Sequence, residues 1–364
     1  MINKLVLENL KQRPIRTSLS VLLIAVPVTL ILTLVGLSKG TLEDSARRQR
    51  GVGADIVIRP RGSSLLSLSS APMPEGMLRM LREMPHVTVA TGTVIQPLSG
   101  FNSITGVDLH AFTKMSGGFR YLEGGPFARP DDVIIDEFYA RQENAHAGGT
   151  INLLNRNWRV AGIIEGGKLA RIILPLRVLQ DLTGNTGKLS QIYLKVDRPE
   201  NVAPVVAALK QKLEGYPIYP MDELLSYFSV NNVPMLRGFI HVVIAIGIII
   251  GFAVVFLSMY TSVLQRTREI GILKSLGASR WYVLNIILRE AFLMAIGGTV
   301  LGIILSFGAR WLIGRLAGAS LTQAVVPEWW PIAGGIALIG ALLGGLYPGM
   351  QAARQDPIEA LAYE

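Results

Sequence analysis

Residues 238–265 read GFIHVVIAIGIIIGFAVVFLSMYTSVLQ, which is 28 residues without Asp, Glu, Lys or Arg. An apolar helix needs roughly 20 residues to cross the hydrocarbon core of a bilayer. A run of this length and composition is longer than an ordinary buried core helix requires. It therefore predicts a membrane-spanning segment.

Three further stretches of the chain share this pattern. They are free of charged residues for 22, 19 and 25 positions, at 17–38, 291–309 and 329–353. We therefore predict an α-helical membrane fold with four transmembrane helices, at 17–40, 237–265, 291–309 and 331–353. A cleaved signal peptide is the alternative for the first run, but that run is too long for one and no small-residue cleavage pattern follows it.

The distribution of charge predicts topology. Only 17% of the 364 residues are charged, and the formal net charge is +9. Residues 41–235 nearly balance, with 21 basic and 19 acidic side chains, so the excess lies in short segments beside the apolar runs. This distribution argues against a nucleic-acid-binding patch. Basic residues precede the first run and fill the connection 266–290, so the positive-inside rule predicts cytoplasmic N- and C-termini.

The long block 41–236 has the composition of a soluble domain, and we predict that it lies outside the membrane on helical stalks. Its pattern of strands and short helices indicates an α+β domain, with a β-rich insert at about 97–185. Three shorter segments complete the domain plan: an amphipathic cytoplasmic helix at 1–16, a short external link at 310–330 and a cytoplasmic tail at 354–364.

The connection between the second and third spans contains a short amphipathic helix. Residues 265–280 read QRTREIGILKSLGASR, in which Ile270, Leu273 and Leu276 are predicted to share one face. Gly277 is placed to end the helix. By itself this pattern fits two interpretations, a helix on which another protein pushes or a connector in the headgroup layer.

Several motifs of the chain resemble the MacB/FtsX-like permease family, which includes the mechanotransmission group of ABC transporters. The strongest are RTREIGILKSLGA at 266–278 with REA at 289–291, and GLYPG at 345–349 with AARQDPIEAL at 352–361. The segments NLKQRPIRT at 9–17 and GADIVI at 53–58 resemble the family's N-terminal helix and the opening strand of its periplasmic core domain. The similarity therefore covers the whole chain.

The resemblance implies a permease without catalytic residues of its own. Two copies, expected as a homodimer, would each seat a coupling helix on one of two ABC ATPase subunits, which carry the ATP and Mg²⁺. We expect no fused ATPase, because GNTGKL at 184–189 lacks the spacing and the hydroxyl residue of a phosphate-binding loop. The coupling residues carried over are Arg266, Arg268, Glu269, Ile270, Gly271, Lys274, Leu276, Gly277, Arg354, Asp356 and Pro357.

Four residues of the second span are candidates for lining a substrate cavity. Phe252, Phe256 and Met259 recur at helical spacing, for which lipid contact or core packing is the alternative. His241 is an ionisable residue near the outer end of the span, where interfacial anchoring and haem ligation are both open. The histidines have no spacing suited to a metal site, and we expect no cofactor in this chain.

The function that follows from the resemblance is ATP-driven export or extraction of a hydrophobic or amphipathic substrate. Drug-like molecules, lipids, lipoproteins and haem are all open as substrates. The expected location is the bacterial inner membrane, in contact with lipid, with a periplasmic adaptor and an outer-membrane channel as candidate partners and no nucleic acid. The alternative is a transmembrane signal relay that activates a cell-wall hydrolase or a sensor and moves no substrate.

Overall fold

The computed structural model describes residues 6, 8–9, 11–12, 14–63, 73–98, 102–229, 234–316 and 321–354. The chain divides into two compact units. The helical unit comprises Met1–Ser38, Pro234–Ile313 and Gln323–Glu364, and the sheet unit comprises Lys39–Val233 and Gly314–Thr322.

The elements are numbered separately for helices and strands. The helices are α1 (Pro14–Arg50), α2 (Met77–Arg82), α3 (Leu109–Ser116), α4 (Glu137–Glu143), α5 (Leu176–Leu182), α6 (Val202–Lys212), α7 (Met221–Ser226), α8 (Pro234–Gln265), α9 (Thr267–Ser275), α10 (Arg280–Leu316) and α11 (Trp330–Arg354). The strands are β1 (Ile56–Ile58), β2 (Met73–Pro74), β3 (Val87–Pro97), β4 (Ser103–Val107), β5 (Tyr121–Gly124), β6 (Asp132–Asp136), β7 (Thr150–Leu153), β8 (Arg156–Ile164), β9 (Ile172–Pro175), β10 (Lys188–Leu189), β11 (Gln191–Val196) and β12 (Ile218–Pro220).

Within the described ranges, four helices are long and apolar enough to cross a membrane, namely α1, α8, α10 and α11. Two of them extend well beyond the charge-free runs. Helix α1 continues to Arg50, and α10 already begins at Arg280, because Arg, Lys, Glu and Gln are good helix formers and do not end a helix. The charge-free pattern therefore marks the part of each helix suited to lipid, not its ends.

Glycines allow the spans of the helical unit to approach closely. A Cβ on Gly302 of α10 would lie 2.7 Å from Val28 of α1, and one on Gly344 of α11 would lie 2.5 Å from the backbone oxygen of Phe252 in α8. In lipid, helices associate by close packing because there is no water to exclude. The pairs Gly298/Gly302 and Gly340/Gly344 thus pack against other helices of the same chain.

The sheet unit is built on a single mixed sheet of ten strands. Its order is β12-β1-β11-β3-β4-β9-β6-β8-β5, with β7 paired to β8. Neighbours are antiparallel except for β4/β9 and β6/β8, which are parallel. Strands of the segment 97–185, the predicted β-rich insert, extend this sheet through the antiparallel pairing of β4 with β3. Strands β2 and β10 form a separate two-stranded ladder.

Apolar clusters cover both faces of this sheet. One contains Trp158, Ile192 and Leu209, and the other contains Phe112, Ile134 and Tyr193. Central strands such as β6 and β9 consequently bury consecutive residues rather than alternate ones. Together with the four apolar helices, this α+β unit confirms the predicted fold class.

The C-terminal part of α1, from Lys39 onward, belongs to the sheet unit. A buried charge cluster connects this part of the helix to the strands. Arg171, which precedes β9 and is 4% exposed, donates to the Asp44 carboxylate across 2.9 Å. Arg48 lies 3.3 Å from the same carboxylate. The ring of Phe138 stacks under the Arg171 guanidinium at 5.6 Å.

A second carboxylate of this cluster, Asp136, has a shifted pKa. Burial raises the pKa of Asp136 to about 6 because it disfavours the charged form. The hydrogen bond from the Tyr139 N–H and the charges of Arg171 and Arg48 lower this pKa, but they do not cancel the effect of burial.

Candidate coupling site

The backbone turns twice in the segment between α8 and α10. Helix α8 ends at Gln265, and Arg266 leaves the helical region at φ −116° before α9 starts. At the other end Gly277 has φ +93°, a conformation that glycine adopts without strain. The N–H of Ala278 donates to the Leu273 carbonyl, which closes the helix end. Residues 266–279 therefore contain a short helix, α9, with a turn at each end that joins it to a long helix.

The side chain of Arg266 points into the helical unit. Its guanidinium is 3.3 Å from the Glu290 carboxylate of α10, and the two side chains are 11% and 5% exposed. A second guanidinium nitrogen donates to the backbone oxygen of Asn9 across 3.1 Å. Arg266 thus connects the start of α9 to α10 and to the N-terminal segment.

The other end of α9 is attached to α11. The ammonium group of Lys274 donates to the carbonyl of Ala353 across 3.1 Å. Ala353 precedes Arg354, whose side chain is exposed at the end of α11. Asp356 and Pro357, the remaining coupling residues predicted after the last span, lie outside the described residues.

The predicted coupling residues divide between two faces of α9. Ile270 and Gly271 are buried, while Arg268, Glu269 and Gly277 are exposed. Leu276 is 80% exposed and so does not share the inner face with Ile270, because α9 ends at Ser275 and the chain changes direction there. Ile272 and Trp281 are also exposed apolar residues, so the outer side of this segment combines charged and apolar side chains.

A cavity of about 320 Å³ lies beside α9, and its lining includes residues from both the buried and the exposed side of that helix. It is lined by Asn9, Met259, Ser262, Val263, Arg266, Glu269, Ile270, Ile272, Leu273, Val283, Ile286, Ile287 and Glu290. Its wall is mainly apolar, and the Arg266–Glu290 ion pair forms part of it. The inner side of α9 is therefore held by buried residues such as Ile270 and by polar contacts, with a cavity beside them.

Of the four predicted cavity-lining residues of α8, two lie together and two lie elsewhere. Phe252 stacks on Phe256 with ring centroids 5.9 Å apart, and Phe256 also contacts Tyr347 of α11 at 5.8 Å. Met259 is 1% exposed and lines the cavity beneath α9 instead. His241 is exposed. Among the described residues, no group of three or more His, Cys, Asp or Glu side chains is arranged to hold a metal.

Sequence reasoning did not assign a role to Glu290 or to Asn9. Glu290 is the single acidic residue of α10, and an ionisable residue in a span is a functional candidate by default. That signal was present in the sequence. Asn9 contributes only its backbone oxygen, which no residue pattern could have indicated.

Two known protein families match successive parts of the chain. Residues 17–212 match the family described as MacB-like periplasmic core domain, and residues 241–357 match the FtsX-like permease C-terminal family. The chain belongs to the MacB/FtsX-like permease family. It is therefore an ABC transporter permease and a multi-pass membrane protein, as the motif resemblance predicted.

Relatives of this permease include proteins with a fused ATP-binding part. A macrolide export ATP-binding/permease protein MacB of Marinobacter nauticus is 25% identical over 403 residues and covers 99% of this chain. An uncharacterized ABC transporter permease YknZ of Bacillus subtilis is 29% identical over 227 residues and covers 60% of the chain. The chain spans about 60% and 55% of the lengths of these two relatives.

Among solved structures, the periplasmic region of MacB from Actinobacillus actinomycetemcomitans is similar to this chain. It covers 48% of the chain and 92% of its own length, at 17% identity and a TM-score of 0.37.

Proposed function

We propose that this permease couples ATP hydrolysis by a separate ABC ATPase to export or extraction of a hydrophobic or amphipathic substrate. The observation that carries the proposal is the position of α9. Its inner face is tied to α10 and α11 by Arg266 and Lys274, while its outer face presents Arg268, Glu269 and Leu276. A helix that is anchored on one side and exposed on the other can transmit a push from a bound protein.

The assembly we propose contains two copies of the permease and two ATPase subunits, with ATP and Mg²⁺ bound only by the latter. The N- and C-termini and α9 lie on the cytoplasmic side of the inner membrane, and the sheet unit lies outside it. The basic residues beside α8, α9 and α10 support this orientation. A periplasmic adaptor and an outer-membrane channel complete the export path in this proposal.

The coupling role of α9 is tested by Glu269→Lys and Leu276→Asp in the complex reconstituted with its ATPase. We expect both variants to express and fold normally but to capture less ATPase and to lose permease-dependent hydrolysis, because a charge reversal and a buried carboxylate oppose docking. The matched control is Glu200→Lys, an exposed reversal in the sheet unit. Normal ATPase capture and hydrolysis by both α9 variants would contradict the proposal.

Transport and signal relay are separated by what the intact complex binds outside the membrane. Affinity purification of the full complex under mild crosslinking is expected to recover an adaptor or a lipid-binding protein. Recovery of a cell-wall hydrolase, together with hydrolase activation that depends on ATP, would instead support the relay.

A further inference from the structure

The ion pair between Arg266 and Glu290 is more than a means of stabilising the helical unit. Burying two charges costs desolvation energy that their mutual attraction often only offsets, so well-packed apolar side chains of similar size commonly stabilise a protein equally well. A buried pair does have one property that apolar packing lacks, because its geometry defines which two residues meet. In coiled coils a buried polar residue specifies register in this way.

The pair lies at the point where α8 gives way to α9. Arg266 is the residue between the two helices, and its own carbonyl accepts the N–H of Ile270 in the first turn of α9. At the N-terminal end of α9, a force on this helix passes directly to α8 through the peptide backbone. At the same end, the force passes to α10 through contacts made by side chains.

A cavity lies where α9 and α10 face each other beside the ion pair. Protein interiors are normally packed without voids much larger than a water molecule. Here a space of about 320 Å³ is lined by Ile270 and Leu273 of α9 and by Ile286 and Ile287 of α10. The direct polar tie from the start of α9 to α10 is Arg266 to Glu290, at 3.3 Å.

We propose that Arg266 and Glu290 are positioning residues that make α10 move with α9 when the ATPase changes state. The Asn9 carbonyl is the second acceptor that holds the guanidinium in place. The inference rests on the proposed coupling function. It assigns Arg266 to a contact inside the permease rather than to a contact with the ATPase.

The test separates stability from transmission by comparing single and double variants. Arg266→Met leaves the buried Glu290 with Arg16 as its nearby cation but without its ion-pair partner, and we expect a lower unfolding temperature and lower yield. The double variant Arg266→Met/Glu290→Leu removes both charges of the pair, and we expect it to unfold at a higher temperature than Arg266→Met. The double variant is therefore the informative one.

Transmission is read out at the far ends of α8 and α10. The chain contains no cysteine, so Phe239→Cys in α8 and Leu312→Cys in α10 are each the single thiol of the protein. Both positions are about half exposed. In the reconstituted complex, labelling by a water-soluble maleimide is measured with and without a non-hydrolysable ATP analogue. We expect the wild type to show nucleotide-dependent labelling at both positions, and the double variant to lose it at 312 while keeping it at 239.

The other outcomes have distinct meanings. A wild-type complex with ATPase bound but no nucleotide response at either thiol would count against the proposed coupling function itself. A double variant that responds at both positions, or at neither while still binding ATPase, would overturn the specific role of the pair and leave the coupling function standing.

Discussion

Both units of the permease bury an arginine against a carboxylate, Arg171 against Asp44 in the sheet unit and Arg266 against Glu290 in the helical unit. The surroundings of the two pairs differ. Arg171 has a second arginine, Arg48, beside the same carboxylate and lies over the ring of Phe138, on a sheet covered by apolar clusters on both faces. Arg266 contacts one carboxylate and one carbonyl beside a cavity, and the charge of Arg16 also acts on the same carboxylate.

This difference indicates that similar ion pairs can have different roles. In the sheet unit the charges are enclosed by a packed core, so losing one of them leaves others buried and uncompensated. In the helical unit the spans are held by glycine contacts between backbones, and the ion pair is added at one end. We therefore expect the first cluster to determine stability and the second to determine which helices move together.

The largest effect is expected from Arg171→Met, because Asp44 and Asp136 then keep only Arg48 as a nearby cation. Removing one partner of a buried pair costs about 3–5 kcal/mol of unfolding free energy. Pulse proteolysis of the detergent-solubilised chain in urea measures this change. The control is Arg120→Met, whose partner Glu165 lies 3.3 Å away with both side chains largely exposed, and for which under about 1 kcal/mol is expected. Equal losses of unfolding free energy in the two variants would contradict the stabilising role of the buried cluster.

The raised pKa of Asp136 predicts a pH dependence of the sheet unit. An unfolded aspartate has a pKa near 3.9, whereas Asp136 in the fold has a pKa of about 6 because burial disfavours its charge. Between these values the folded state retains the proton and the unfolded state has lost it. Stability from this group therefore falls as the pH rises from about 4 to about 6, by up to roughly 3 kcal/mol.

Asp136→Asn removes this titration, so we expect its unfolding free energy to change less between pH 4 and 6 than that of the wild type. The control is Asp197→Asn. Hydrogen bonds from Asn201 and His86 hold the pKa of Asp197 at about 2, so its contribution is already complete above pH 4 and is lost only as the pH falls toward 2. An unchanged slope in Asp136→Asn would show that another group is responsible.

Glycine packing in the helical unit is tested by Gly344→Ala. The new Cβ would lie 2.5 Å from the backbone oxygen of Phe252, so α8 and α11 must separate, at an expected cost of about 1–3 kcal/mol. Gly335→Ala in the same helix is the matched control, since its Cβ position has no side chain and no atom of another helix within 4 Å. We expect this variant to stabilise the helix slightly. Thermal unfolding in detergent distinguishes the two variants. Equal unfolding temperatures would contradict the conclusion that Gly344 allows α8 and α11 to pack closely.

The smallest effect is expected from the one buried hydroxyl pair that links α1 to α8 among the described residues. The Oγ atoms of Ser20 and Ser258 are 2.8 Å apart. Hydrogen bonds between membrane helices average about 0.6 kcal/mol, so Ser20→Ala should lower thermal stability only slightly. Ser20→Ala/Ser258→Ala should cost little more than the single variant. A loss comparable to that of Arg171→Met would remove the contrast between the units.

The sequence by itself determined the four spans, the separate α+β unit and the family. Each of these follows from local properties: the bilayer sets how many consecutive apolar residues a helix needs, and the motifs at 266–278 and 345–361 are contiguous. It also indicated that Gly277 would end α9, because only the backbone conformation of that one residue is involved. Whether the glycine pairs face the same chain or another could not be decided in this way.

The tertiary structure decided which distant side chains meet. Arg266 and Glu290 are 24 residues apart, and Asp44 and Arg171 are 127 apart. No periodicity relates residues at such separations, because their contact depends on which helices and strands become neighbours. The same reason explains why Leu276 was expected beside Ile270 but is exposed, and why Arg266 is directed into the permease. A local pattern specifies the face of one helix, whereas the orientation of that helix is set by everything that packs against it.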